Sequence, residues 1–210
     1  MADPVPDYFQ MLDLPRLPWL EPEEVRAQFL KRSAIVHPDR VHGGTEADRQ
    51  AANQEFAALN AAYNCLRDPK ERVLHLLGLE RGERPRDVQR IPSGTMDLFL
   101  EVGQLCREVD GFLAERARAS SPMVKVAVFS RGLEWTEKIQ ALSRKVDQRR
   151  DELHGELEQL NLVWGAALPV GSMGRAAGLP LDRMEQLYRV LSYTSRWTEQ
   201  LQERLVLLAF

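Results

Sequence analysis

The clearest local signal in this 210-residue chain lies at residues 22–39, which read PEEVRAQFLKRSAIVHPD. Pro22 suits the first position of a helix, because proline has no N–H to donate and its backbone angle already matches the helical one. The apolar residues Val25, Phe29 and Val36 recur at helical spacing. Pro38 disfavours a helical conformation at the residue before it, so we predict a helix that starts at Pro22 and stops at His37.

The tripeptide His37-Pro38-Asp39 follows this helix directly and is expected at an exposed corner. A carboxylate in that position can accept a bidentate, charge-assisted hydrogen bond from an arginine of a partner protein. The alternative is that the tripeptide only stops the helix and begins a polar turn. Taken alone, these three residues leave both interpretations open.

Two further helical segments are predicted around this helix. Thr45-Glu46-Ala47-Asp48 reads as a capping box, with Asp48 in the place usually taken by glutamate. The apolar residues that follow it have helical spacing: Ala52, Phe56, Leu59, Tyr63 and Leu66. This segment should end before Pro69, and a short helix is expected at about residues 7–14. Two antiparallel helices with a short helix across them predict a compact all-α module.

Composition limits the class of protein. The chain is 44% hydrophobic and has 28 basic against 31 acidic residues, a net charge of −3, which argues against a dedicated nucleic-acid binder. It has no apolar run long enough to span a membrane, and its first residues lack the apolar segment of a signal peptide. Two cysteines supply neither a disulfide framework nor a full zinc site. We therefore expect a soluble, cytoplasmic protein without a metal or other cofactor.

A second helical part follows a charged linker at residues 82–87 and opens near Pro92. Its first helix has an apolar seam at four- and three-residue spacing: Leu98, Val102, Leu105, Val109 and Phe112. Ser121-Pro122 predicts the start of a long middle helix, whose continuity through Gly132 stays open. A loop rich in glycine and proline at 168–180 precedes the last helix. The predicted fold is all-α, with a helical-hairpin domain at 1–82 and an elongated three-helix bundle at 92–210.

The first part resembles the J domain, the module with which J-proteins stimulate ATP hydrolysis by DnaK-type chaperones. The resemblance covers about residues 6–70 and rests on Asp7-Tyr8-Phe9, on His37-Pro38-Asp39 after an amphipathic helix, and on residues 56–69. It implies that His37, Pro38 and Asp39 form the signalling loop. It also implies that the basic residues Arg26, Lys31 and Arg40 meet an acidic patch on the chaperone. Arg32 departs from the family pattern, since it stands on the apolar stripe of the helix.

The rest of the chain is similar to HscB co-chaperones, which deliver the iron–sulfur cluster scaffold IscU to a dedicated HscA-type chaperone. The similarity rests on residues 66–82, on the three-helix bundle and on the ending Leu208-Ala209-Phe210. It implies a client-binding face with five candidates: Phe99, Leu100, Gln104, Val190 and Leu191. Gly103 departs from the family, which tends to have leucine there, and the loop at 168–180 looks inserted. An alternative is that Phe99 and Leu100 only widen the core face of their helix.

Three other functions stay open at the level of sequence. The chain could be a J-protein with an unrelated client, or a J-like adaptor without effect on ATP hydrolysis. A remote possibility is a metal-dependent hydrolase that uses His37, Asp39 and His42, although such sites need three or four convergent ligands. Cys65 and Cys106 lie on apolar helices and are expected to be inert buried thiols. The favoured interpretation is a co-chaperone that is not itself an enzyme.

Overall fold

The computed structural model describes residues 6–36, 45–82, 94–118 and 122–209, without the side chains of residues 122–125 and 127. The described residues form helices and loops and contain no β-strand, which confirms the predicted all-α fold. The helices are α1 (Tyr8–Met11), α2 (Pro22–Val36), α3 (Glu46–Arg67), α4 (Pro69–Arg81), α5 (Met96–Ala117), α6 (Pro122–Gly165) and α7 (Leu181–Ala209). Within the described ranges, no helix is both long and apolar enough to cross a membrane.

The chain divides into two compact units. The first contains Met1–Asp87 together with His154–Tyr188, and the second contains Val88–Leu153 together with Arg189–Phe210. Helices α6 and α7 are therefore both divided, and each contributes one segment to the first unit and one segment to the second. Sequence periodicity predicted α6 and α7 as helices but not their division between the two units.

Helices α2 and α3 form the centre of the first unit. Val25 of α2 and Leu59 and Leu66 of α3 are buried, and the rings of Phe29 and Tyr63 stack with centroids 4.3 Å apart. The capping box is present as predicted, because Thr45 Oγ1 accepts from the Asp48 backbone N–H and the Asp48 carboxylate accepts from the Thr45 backbone N–H. The Thr45 hydrogen bonds lower the pKa of the exposed Asp48 carboxyl below its usual value.

Helix α4 was not predicted from the sequence, since only three helical segments were expected in the first part. Asp68 ends α3 and at the same time caps α4, since its carboxylate accepts from the backbone N–H groups of Lys70 and Glu71. Pro69 takes the first helical position, and Gly82 ends the helix with a φ of 77°, a conformation that favours glycine. An Asp-Pro pair and a glycine 13 residues later are thus a start and a stop signal that the sequence did contain.

The segment His154–Tyr188 is joined to the first helices by specific contacts within the first unit. The Trp19 backbone N–H donates to Asn161 Oδ1 at 2.9 Å, and Asn161 Nδ2 donates to the Trp19 carbonyl at 3.0 Å. The rings of Trp19 and His154 lie with centroids 5.0 Å apart. One asparagine side chain therefore satisfies both backbone groups of a loop residue far away in sequence.

The core of the second unit contains side chains from α5, α6 and α7. Its buried members are Val102, Cys106, Val109, Ile139, Leu142, Val146, Trp197 and Leu201. Helix α6 is continuous through Gly132 for 44 residues, which answers the question that sequence left open. A single glycine costs a helix only about 1 kcal/mol relative to alanine, so one glycine is not enough to break it.

Candidate functional site

The predicted signalling loop lies outside the described residues. This holds for His37, Pro38, Asp39, Arg40 and His42. The structure does describe the helices at both ends of that segment. Helix α2 ends at Val36 and α3 begins at Glu46 behind its Thr45 cap, so the two helices that the tripeptide should join are present where predicted.

The outer side of α2 carries the two basic residues that the sequence assigned to chaperone binding. Arg26 and Lys31 are both exposed, and no carboxylate of the described residues forms a salt bridge with either. Arg32 is partly buried, in keeping with a long side chain whose apolar stem packs while its charged end reaches water. The stacked Phe29 and Tyr63 rings show that the helical pair packs despite this departure from the apolar stripe.

The candidate client face on α5 is exposed and largely apolar. Leu100 is 58% exposed and Phe99 is 37% exposed, so these two residues do not simply widen the core. Met96, one turn earlier, is also exposed, and Gln104 is exposed with its side-chain amide donating to Glu108 at 2.9 Å. We refer to Met96, Phe99, Leu100 and Gln104 as the α5 face.

Val190 and Leu191 do not belong to any surface, and this corrects their assignment as client contacts. They are 5% and 2% exposed, because the inward stripe of α7 includes Leu187, Val190, Leu191 and Thr194. A side chain buried in this way has no area left to give to a partner. The resemblance that suggested these two contacts does not determine which side of α7 faces the core.

Tyr193 is the α7 residue that lies beside the α5 face, and the sequence reading missed it. The rings of Phe99 and Tyr193 meet edge to face, with centroids 6.4 Å apart and planes at 83°. The ring centroids of Tyr193 and the buried Trp197 are in turn 5.7 Å apart. This row of aromatic rings leads from the surface into the core and holds the half-exposed Phe99 ring in place. The spacing of Tyr193 and Trp197 along α7 was a signal that could have pointed to it.

Gly103 leaves the α5 face without a side chain at one position. A Cβ atom built on Gly103 would meet only the end of the Arg107 side chain, at 3.6 Å, which is ordinary contact. The fold therefore does not require glycine there. A larger apolar residue could be accommodated, and the absence of one reduces the apolar area of the face.

The buried thiol of Cys106 has no role in this face. Burial raises the pKa of Cys106 above its usual value, so the group stays protonated and weakly reactive at neutral pH.

In the part of the chain that the structure describes, no cluster of three or more His, Cys, Asp or Glu side chains is placed to hold a metal ion. The three residues of the hydrolase alternative lie outside that part.

Comparison with known proteins relates the chain to one protein family and to two solved structures. Residues 7–75 match the family model of the DnaJ domain. Chaperone HscB from Vibrio cholerae is 24% identical, with a TM-score of 0.51 over 95% of this chain and 99% of its own. The human co-chaperone protein HscB is 18% identical, with a TM-score of 0.58 over 98% of this chain and 83% of its own. The predicted resemblance to the J domain is confirmed over residues 7–75, and the chain has the fold of the two HscB structures.

Proposed function

We propose that this chain, a J-domain protein with the fold of HscB, stimulates ATP hydrolysis by a DnaK- or HscA-type chaperone and brings it an IscU-like iron–sulfur scaffold. The observation that carries the proposal is the DnaJ match over residues 7–75 in one chain with the exposed apolar α5 face. The chain acts as a cytoplasmic adaptor between two proteins, without a cofactor and without catalysis of its own.

The first contact is the one with the chaperone. His37, Pro38 and Asp39 are the signalling residues, and Arg26, Lys31 and Arg40 supply positive charge beside them. The exposed positions of Arg26 and Lys31 support this role, because both side chains can reach a partner without leaving a salt bridge in the described structure. Charged contacts of this kind raise the rate of association and make it sensitive to salt.

The second contact is the one with the scaffold. Phe99 and Leu100 present apolar area on α5, and Tyr193 supports Phe99 from α7. Exposed large apolar side chains beside a packed core are what a docking patch requires. Binding both proteins on one chain turns the second encounter into an intramolecular one, so hydrolysis and delivery are coupled by effective concentration.

The chaperone contact is tested by single-turnover ATP hydrolysis with Asp39→Asn. We expect this variant to lose the stimulation and to keep its affinity for the scaffold, because the changed side chain lies on the J domain only. Stimulation that persists in Asp39→Asn would show that the signalling loop is assigned wrongly.

The scaffold contact is tested by titrating the purified protein with an IscU-type scaffold. We expect Phe99→Ala and Leu100→Ala to weaken binding about tenfold each, since each removes a large apolar side chain from the interface. Phe129→Ala and Leu133→Ala are matched controls, because Phe129 and Leu133 are equally large and exposed in the same compact unit. Equal loss in the controls, or no binding by the unchanged protein, would leave a J-protein with a different client.

A further inference from the structure

Helix α5 carries an arginine beside the α5 face that no carboxylate of the described residues neutralises. Arg107 is exposed and forms neither a salt bridge nor a hydrogen bond with any described residue. The three carboxylates of α5 within six residues of it each have another partner. Lys145 donates to Glu101 at 2.6 Å, Gln104 donates to Glu108 at 2.9 Å, and Arg204 donates to Asp110 at 2.8 Å.

Helical geometry places Arg107 on the same side of α5 as the exposed apolar residues. At 100° per residue, Leu100, Gly103 and Arg107 fall within about 60° of one another, on the side away from the buried Val102 and Val109. Gly103 and Arg107 are about 6 Å apart along the helix axis. The side chains of a helix lean toward its N-terminus, so the Arg107 side chain is directed back toward Gly103 and Leu100.

Gly103 gives this side chain its place on the helix. A Cβ atom built on Gly103 would lie 3.6 Å from Arg107 Nη1 and would meet no other group within 4 Å. Glycine is less favourable than alanine inside a helix, and Gly103 is not among the glycines with a positive φ. Neither packing nor backbone conformation therefore requires it. The bare position leaves room above the helix for the guanidinium and for a side chain of a partner.

A partner that covers Phe99 and Leu100 also removes water from Arg107. A covered cation without a counter-ion is costly, whereas a carboxylate can accept a charge-assisted, bidentate hydrogen bond from its guanidinium. Exclusion of water makes the attraction between the two charges stronger than it is on an open surface. The same apolar area therefore favours a partner with a carboxylate at this point and disfavours one with an apolar or basic group there.

We infer that Arg107, lying over the bare position of Gly103, is a specificity-determining residue of the client contact and selects a client surface that combines apolar side chains with an Asp or Glu. This inference rests on the proposed function, in which the α5 face binds the scaffold. It adds the sign of the charge that the client must present, which the exposed apolar area does not define.

The first experiment is a titration of the full chain with a purified IscU-type scaffold. We expect Arg107→Gln to weaken binding about tenfold and Arg107→Glu about thirtyfold, because the second variant adds repulsion to the loss of the ion pair. Arg144→Glu is the matched control, since Arg144 is exposed in the same compact unit, has no salt bridge with a described residue and changes the net charge equally. It should change the affinity less than about twofold. Circular dichroism checks that each variant is folded.

The second experiment identifies the carboxylate directly. Arg107→Lys keeps the positive charge and supplies an amine, which a carbodiimide joins to a carboxylate in direct contact. We expect mass spectrometry to find a cross-link from position 107 to an Asp or Glu of the scaffold, and none from position 144 in Arg144→Lys. Replacing that scaffold residue by lysine should restore binding to Arg107→Glu, because the two charges are then exchanged.

The outcomes separate this inference from the proposed function. Binding by Arg107→Glu that is as tight as that of Arg144→Glu, together with weaker binding by Phe99→Ala, would overturn the role of Arg107 and leave the scaffold contact intact. Tighter binding by Arg107→Glu would show that the client presents a basic group and would also overturn the inference. No binding of the scaffold by the unchanged protein would overturn the proposed client and this inference together.

Discussion

At the scale of single residues, Arg72 connects three parts of the first unit through one buried side chain. Its Nε donates to the Pro18 carbonyl at 2.9 Å, its Nη1 donates to the Leu66 carbonyl at 2.7 Å, and its guanidinium lies 5.3 Å from the centre of the Trp19 ring. Burial lowers the pKa of Arg72 to about 10, so the group is still protonated at neutral pH. The cation therefore ties the loop before α2 to the end of α3.

Replacing Arg72 should destabilise the protein strongly. Arg72→Met keeps much of the apolar stem but leaves the carbonyls of Pro18 and Leu66 without their donor, and we expect a loss of about 3 kcal/mol in the free energy of unfolding. Denaturant unfolding measures this loss. The control is Arg67→Met, since Arg67 is exposed and only approaches the Tyr63 ring, at 5.4 Å. A loss below about 1 kcal/mol in Arg72→Met would contradict the structural role given to this residue.

The capping box at the start of α3 predicts a dependence on pH. The folded-state pKa of Asp48 is lowered by its hydrogen bonds with Thr45, so the folded chain binds this proton less tightly than the unfolded chain does. The stabilisation is present above the ordinary value of 3.8 and is lost as pH falls through the lower folded value. Asp48→Asn should be less stable than the unchanged protein at pH 7, and the difference should shrink below pH 3.8. Unfolding curves with the same difference at both pH values would contradict this.

At the scale of elements, a buried ion pair fixes the loop between α6 and α7 onto α4. Arg175 Nε and Nη2 donate to the two carboxylate oxygens of Glu80 at 2.9 and 3.0 Å, and its Nη1 donates to the Leu168 carbonyl. The side chains of Arg175 and Glu80 are only 8% and 3% exposed. Arg16, which is paired with Asp7 at the cap of α1, lies 3.9 Å from the same carboxylate. The loop that looked inserted in the sequence is thus tied to α4 within the first unit.

Removing one partner of this buried pair should lower the free energy of unfolding far more than removing one partner of an exposed pair. Arg175→Gln leaves the Glu80 carboxylate buried without its main partner, and we expect a loss of about 3–5 kcal/mol in the free energy of unfolding. Arg183→Gln, which breaks an exposed pair with Glu156, should cost less than about 1 kcal/mol. The double variant Glu80→Gln/Arg175→Gln should recover part of the loss, because it also removes the buried charge. Equal stability of Arg175→Gln and Arg183→Gln would contradict the stabilising role given to the buried Arg175–Glu80 pair.

Local signals in the sequence predicted the helices better than they predicted the contacts that individual side chains make. Pro22 correctly predicted the start of α2, and the pattern at Thr45–Asp48 correctly predicted the start of α3. Val190 and Leu191 were assigned from the resemblance to HscB alone, and the structure buries both side chains. The contact between Trp19 and Asn161 joins residues that are 142 positions apart, so no local sequence pattern could predict it. Phe99 and Leu100 were predicted as client contacts from the resemblance to HscB, and both also lie off the apolar seam of their helix and are exposed.

At the scale of the whole molecule, the compact units do not follow the simple division into an N-terminal and a C-terminal part. His154–Tyr188 belongs to the same unit as helices α1 to α4, while the α5 face and Tyr193 lie in the other unit. The two proposed binding functions are therefore carried by different units of one chain. We therefore expect that a point change in one unit removes one function and leaves the other in place.

The most direct test of the whole account is single-turnover ATP hydrolysis by a DnaK- or HscA-type chaperone, with and without an IscU-type scaffold. We predict that the unchanged protein stimulates hydrolysis and that the scaffold increases this stimulation further. His37→Gln should abolish both effects, whereas Phe99→Ala should affect only the increase due to the scaffold and should raise the scaffold concentration needed for it about tenfold. Stimulation that survives in His37→Gln, or an increase with the same scaffold dependence in Phe99→Ala, would contradict the proposal that two separate contacts couple the chaperone to its client.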